Sequence, residues 1–108
     1  MKTEKVLLAT TILAAASLAR SRLVDYAGAP CGAGVRALGS ANANYDAGEF
    51  AGVNTHGELV VEAGAAVAVG EAVQSDATAR VVPLTTGVEF GAARDAATAA
   101  GDFIRVLV

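Results

Sequence analysis

The chain offers few residue types that could do chemistry. It has one histidine, His56, inside the turn-like run Asn54-Thr55-His56-Gly57, and one cysteine, Cys31, beside Gly32 and Gly34. A thiol and an imidazole within hydrogen-bond reach would make a nucleophile–base pair, but nothing around either residue favours that pairing. Cys31 reads instead as a small core hydrophobe. A metal site needs several converging ligands, and the 11 carboxylates are scattered, without the dense acidic loop that calcium takes. Two acids brought together by folding could in principle cleave a glycoside, although a domain so poor in aromatic residues makes a poor sugar site. Gly28, Gly32 and Gly34 give G-x-x-x-G-x-G, which is not the dinucleotide-binding order. No phosphate-loop lysine follows a glycine cluster. The sequence therefore argues against an enzyme, with no catalytic, metal or cofactor-binding residue.

The rest of the composition says what must position whatever function there is. At 108 residues the chain makes one domain. Hydrophobic residues are 54%, yet only 2 Tyr and 3 Phe carry rings, and there is no Trp. By count, 26 residues are Ala and 14 are Val. A core of such small side chains gains little per residue, about 0.8 kcal/mol per buried methylene, so the domain profits from partners. Eight basic against 11 acidic residues, formally −3, speak against a nucleic-acid surface. A single cysteine excludes an intrachain disulfide and fits a reducing compartment, or a particle assembled inside a cell.

Strand-like segments recur between turn signals: Arg22–Ala27, Val35–Ala41, Glu49–Val53, Glu58–Glu62, Ala72–Gln74, Arg80–Leu84, Val88–Asp95 and Phe103–Val108. The Asn54–Gly57 run is read as a turn between two of them. In the last segment both faces are nearly apolar, which suits a central strand or one lying under another subunit. Two alanine-rich windows, Thr11–Arg20 and Ala92–Ala100, have helical propensity. The spacing predicts an all-β fold, a small β-barrel or sandwich of short strands.

The first residues have the charged, apolar and small-residue outline of a signal peptide. The apolar run Val6–Ala19 is too short for a membrane span, which takes roughly 20 residues, so no membrane partner is expected. Glu4 in the basic part and Thr10, Thr11 and Ser17 in the apolar part favour an extended N-terminal arm or first strand over residues 1–21. The domain proper is then 22–108. An internal echo is also present: Leu38-Gly39-Ser40-Ala41 followed by Ala47-Gly48-Glu49-Phe50 matches Phe90-Gly91-Ala92-Ala93 followed by Ala100-Gly101-Asp102-Phe103.

Across most of its length the chain resembles the decoration, or cement, proteins of tailed-bacteriophage capsids. The likeness is carried by Leu23–Gly28, Arg36–Gly39 and Gly57–Gly64, then by Val69–Val73, Ser75–Ala77 leading into Arg80–Pro83, and Phe90–Ala93 through Ala99–Ile104. Cys31 and the Asn42–Asn44 stretch depart from the Ala, Gly and acid composition of that family's loops. The resemblance implies a β-rich domain, made in the host cytoplasm, that binds the outer face of the capsid and stabilises the expanded shell. Its partners would be the major capsid protein and itself, as a homotrimer at local three-fold positions, with no direct nucleic-acid contact. Leu7, Leu8, Ile12 and Leu13 are then the candidate arm anchors, unless they pack on their own domain. Phe103, Ile104 and Leu107 are core candidates that could instead face a neighbouring subunit. The competing classes are a secreted or surface β-domain that binds protein or glycan, and another phage part such as a head-completion or tail protein.

Overall fold

The computed structural model describes residues 3–108 and shows an all-β fold. Eight strands follow in order: β1 (Lys5–Leu13), β2 (Leu23–Asp25), β3 (Ala37–Ala41), β4 (Phe50–Glu62), β5 (Ala72–Ser75), β6 (Val81–Pro83), β7 (Gly91–Ala93) and β8 (Phe103–Leu107). Hydrogen bonding runs β2-β3-β4-β8-β7-β5-β6, with β1 paired to β4, and every strand pair is antiparallel. A parallel bridge from Val81 to Ala63, just past β4, curls the sheet into a nearly closed barrel. The N-terminus is an extended strand laid along β4. Met1 and Lys2, the first residues of the expected arm, lie outside the described residues.

Neither alanine-rich window is helical. In the first, Thr11 and Ile12 are β-branched and pair with Gly52 and Ala51, so ladder formation outweighs alanine's weak intrinsic preference. In the second, the Asp102 carboxylate accepts the N–H groups of Thr98 (2.8 Å) and Ala99 (3.4 Å), which holds a turn instead.

The expected turn at Asn54–Gly57 is also absent, and β4 runs straight through it for 13 residues. Gly57 makes this possible. It has φ +124°, and a Cβ there would sit 2.2 Å from the Lys5 carbonyl oxygen, so β1 approaches as only glycine allows. The register of β1 shifts on either side of Leu8 to accommodate it. The polar residues that looked turn-forming are held within the sheet: Thr55 Oγ1 donates to the Leu8 carbonyl (3.0 Å), and Asn54 Nδ2 to Glu4 (3.4 Å).

Residues of β4 with two partners show which side each strand occupies. Val53 and Asn54 pair with both β1 and β3, and Glu58 pairs with both β1 and β8. Thus β1 lies along one edge of β4, while β3 and β8 follow one another along the opposite edge. The two halves of β4 feed two cores. Ala51 and Val53 join Ala14, Leu18, Val24 and Ala41, whereas Leu59 and Val61 join Val73, Val81, Ile104, Val106, Leu23 and Cys31. Each large aliphatic side chain in them is worth about 1.5–3 kcal/mol on burial.

The echo in the sequence is a structural repeat. In the first half Gly48 N–H donates to the Ala14 carbonyl and Ala14 N–H to that of Glu49 (both 2.8 Å). In the second half Gly101 N–H donates to the carbonyl of Ala63 (2.8 Å) and Ala63 N–H to that of Asp102 (2.7 Å). The reciprocal Leu18–Tyr45 bridge corresponds to the Val67–Ala97 bridge. The register Leu13↔Phe50 through Ala9↔Asn54 is repeated as Glu62↔Phe103 through Glu58↔Leu107. Repeat 1 therefore begins with β1 and ends in the first half of β4, and repeat 2 begins with the second half of β4 and ends in β8.

Candidate functional site

β1 is an edge strand paired with β4, and every residue of it except Ile12 is exposed. Ile12 faces Ala51 and is half-buried against the smaller core. Leu7 is 83% exposed, and Val6, Leu8 and Leu13 are exposed as well. Leu13 stands directly across from Phe50, itself 74% exposed, giving an unshielded cross-strand apolar pair. Phe50 is not among the expected contact residues, although it closes the same Gly-acid-Phe echo as Phe103.

The start of β1 and the end of β8 meet on the two sides of Gly57. Leu7, Leu107 and Val108, with the stem of Lys5 and with Glu58, line a shallow hollow of about 290 Å³. The fold thus brings together two candidates, Leu7 and Leu107, that lie at opposite ends of the chain. Leu8 falls in a second groove of about 400 Å³, lined also by Thr10, Tyr26, Arg36, His56 and Phe90. Phe103 is exposed on β8 opposite Glu62, apart from the hollow. Ile104 is not at the surface at all. It points inward by strand alternation, is wholly buried among Val61, Val106 and their neighbours, and is a core residue of the free chain.

Ion pairs brace the sheet around these apolar groups. Arg105 grips Asp95 through two side-chain bonds of 2.8 and 2.9 Å. Arg94 Nε lies 3.2 Å from Glu58 Oε1, and Glu62 is shared by Arg22 and Arg80, each at 3.2 Å. The Arg105 guanidinium is held more firmly protonated by Asp95. Cys31 is buried, its thiol directed at the Val35 carbonyl (3.3 Å), and burial pushes its pKa up, opposite to what a nucleophile needs. His56 is exposed on β4. Among the described residues no group of three or more His, Cys, Asp or Glu is placed to hold a metal ion, and no helix is long and apolar enough to cross a membrane.

The outer side of β1 and the end of β8 thus form an exposed apolar patch on a braced sheet. None of the curated proteins matches the chain. Among solved structures it is similar to the N base of the head fiber protein gp8.5 of bacteriophage phi29, with a TM-score of 0.76 at 20% identity, over 94% of this chain and 92% of that one. That likeness establishes a shared fold. The family model described as phage cement protein matches residues 1–108. The chain belongs to the phage cement protein family and is a non-enzymatic structural protein of the virion that binds the capsid surface.

Proposed function

We propose that the protein docks on the outer face of the major capsid protein as a homotrimer at local three-fold positions, and stabilises the expanded shell there. The observation that carries this reading is the hollow where Leu7, 83% exposed, meets Leu107 and Val108. An aliphatic group so exposed gains about 25 cal/mol for each Å² that a partner covers. The N-terminal segment through Ser21 serves as the contact arm, presented as a strand instead of a loose tail. Leu7, Leu107 and Phe103 face the capsid, while Leu8 and Leu13 face a neighbouring copy. A specific interface buries about 1,200–2,000 Å². A bridging protein adds that area across capsid subunit boundaries, and linking several contacts in one trimer raises avidity through effective concentration.

The test is co-sedimentation of the purified protein with expanded empty shells of its phage. Saturable binding is expected, with a tenfold or greater loss of affinity for a Leu7→Asp/Leu107→Asp variant that keeps its native melting transition. Unchanged binding by that variant would remove the hollow from the interface, and no binding by the native protein would sink the proposal.

A further inference from the structure

The two repeats meet in a one-way junction. Repeat 1 covers the open edge of the first strand of repeat 2: Glu62 N–H donates to the Ser21 carbonyl (3.0 Å), and Leu23 N–H to that of Ala79 (2.8 Å). Arg22 bonds the Glu62 carboxylate at 3.2 and 3.3 Å, and Leu23 and Cys31 are inserted into the larger core. Under the repeat, Glu62 corresponds to Leu13, Ser21 to Gly70, Leu23 to Ala72 and Cys31 to Leu84, while Ala79 (φ +65°) in the Asp76 turn corresponds to Gly28 (φ +88°) in the Asp25 turn, whose carbonyl already accepts the Ala15 N–H (2.9 Å). Among the described residues the return bond from the Leu13 N–H to the Gly70 carbonyl is not made.

The first repeat therefore keeps its own edge bare. β4 is the only strand paired with β1 among the described residues, and by register the Leu13 N–H points away from it. Leu13 is 52% and Tyr26 62% exposed. Where repeat 2 buries Leu59, repeat 1 has Thr10, which lines the open 400 Å³ groove together with Tyr26. A contact between unlike faces leaves one face of each kind unused at the ends, and those two faces are complementary.

We infer that a second copy of this chain fills that edge, its repeat 2 docking on the repeat 1 of its neighbour as repeat 1 docks on repeat 2 within the chain. The Gly70 carbonyl accepts the Leu13 N–H, and Leu84 enters the groove beside Thr10. Gly70 at φ +82° and Ser21 at φ +65° share the left-handed conformation that presents this carbonyl, and each is followed by the same return bond, Arg22 N–H to Ala19 and Glu71 N–H to Ala68. Glu71, in the place of Arg22, folds its carboxylate back onto the Ala68 N–H (3.0 Å) and leaves room for Leu13. The ion pair of the internal junction is thus replaced by an apolar contact, to which the exposed Val69 adds. Repeated head to tail, a contact of this kind forms a ring when its rotation closes; we take that ring to be the homotrimer proposed above, and the contact rests on that self-association.

A Leu13→Cys/Glu71→Cys variant of the full chain tests the contact, oxidised under mild conditions both free and bound to shells, with light-scattering mass measured in parallel. Covalent chains ending in closed trimers are expected from the double variant and from neither single one. Trimer mass without cross-linking would overturn this interface and leave self-association standing. A monomer at every concentration, with no cross-link on shells, would overturn both. A Leu13→Asp variant, altered only at an exposed position, should keep the native fold and dissociate at least tenfold more readily; undiminished association would count against the proposal.

Discussion

Gly34 and Gly87 meet where the two halves of the chain cross: a Cβ built on Gly87 would lie 2.3 Å from the Gly34 Cα and 2.9 Å from Gln74 Oε1. Gly34 N–H donates to the Ser75 carbonyl (2.9 Å), and Val88 N–H returns to that of Gly34 (3.0 Å). Gln74 Oε1 closes the contact by accepting the N–H groups of Thr85 (3.0 Å) and Gly87 (2.9 Å). Replacing Gly87 by Ala forces this crossing apart. A loss of about 1–3 kcal/mol is expected, read as a lower urea midpoint with an unchanged slope.

Phe103 and Ile104 are adjacent on β8 and should respond oppositely. Ile104→Ala opens a cavity in the larger core and should cost about 2–5 kcal/mol. Phe103→Ala removes a half-exposed ring and should change the stability of the free protein by no more than about 0.5 kcal/mol. Thermal or urea unfolding of the two variants checks the contrast.

Glu62 is shared by Arg22 and Arg80 at the junction of the repeats. Glu62→Gln leaves two cations facing each other. With the arginines partly in solvent, the expected destabilisation is only about 1 kcal/mol, and it should shrink further in 1 M salt. A salt-independent loss would point to packing instead.

Cys31 supplies a pH dependence. Burial raises its folded pKa, so the folded state holds the proton more firmly than the unfolded one. Its contribution is fully present below the unfolded thiol pKa of about 8.5 and is lost as pH rises through the folded value. Unfolding free energy should fall as pH rises above about 8.5, and a Cys31→Ala variant should show a shallower fall.

Much of the fold is legible in the sequence because strand periodicity and glycine turns are local signals. The repeat is legible too, since Gly48-Glu49-Phe50 and Gly101-Asp102-Phe103 do the same work, a left-handed glycine followed by an acid whose carboxylate caps the turn. The Asn54–Gly57 stretch misled because turn-forming residues are equally at home where two strands crowd one glycine, and only the approach of β1 distinguishes the cases. The alanine windows misled because propensity is weaker than a ladder with a distant partner. At the candidate site, the exposure of Leu7 and Leu13 follows from β1 lying on an edge, a tertiary fact, and their meeting with Leu107 and Phe50 depends on register. Phe50 was recoverable from the echo alone.

The most direct measurement is a cryo-electron microscopy reconstruction of the expanded, decorated shell. The account predicts three copies around each local three-fold position on the outer face, with the Leu7–Leu107 hollow turned toward the major capsid protein. Density elsewhere on the particle, or that hollow left open to solvent in the bound protein, would contradict it.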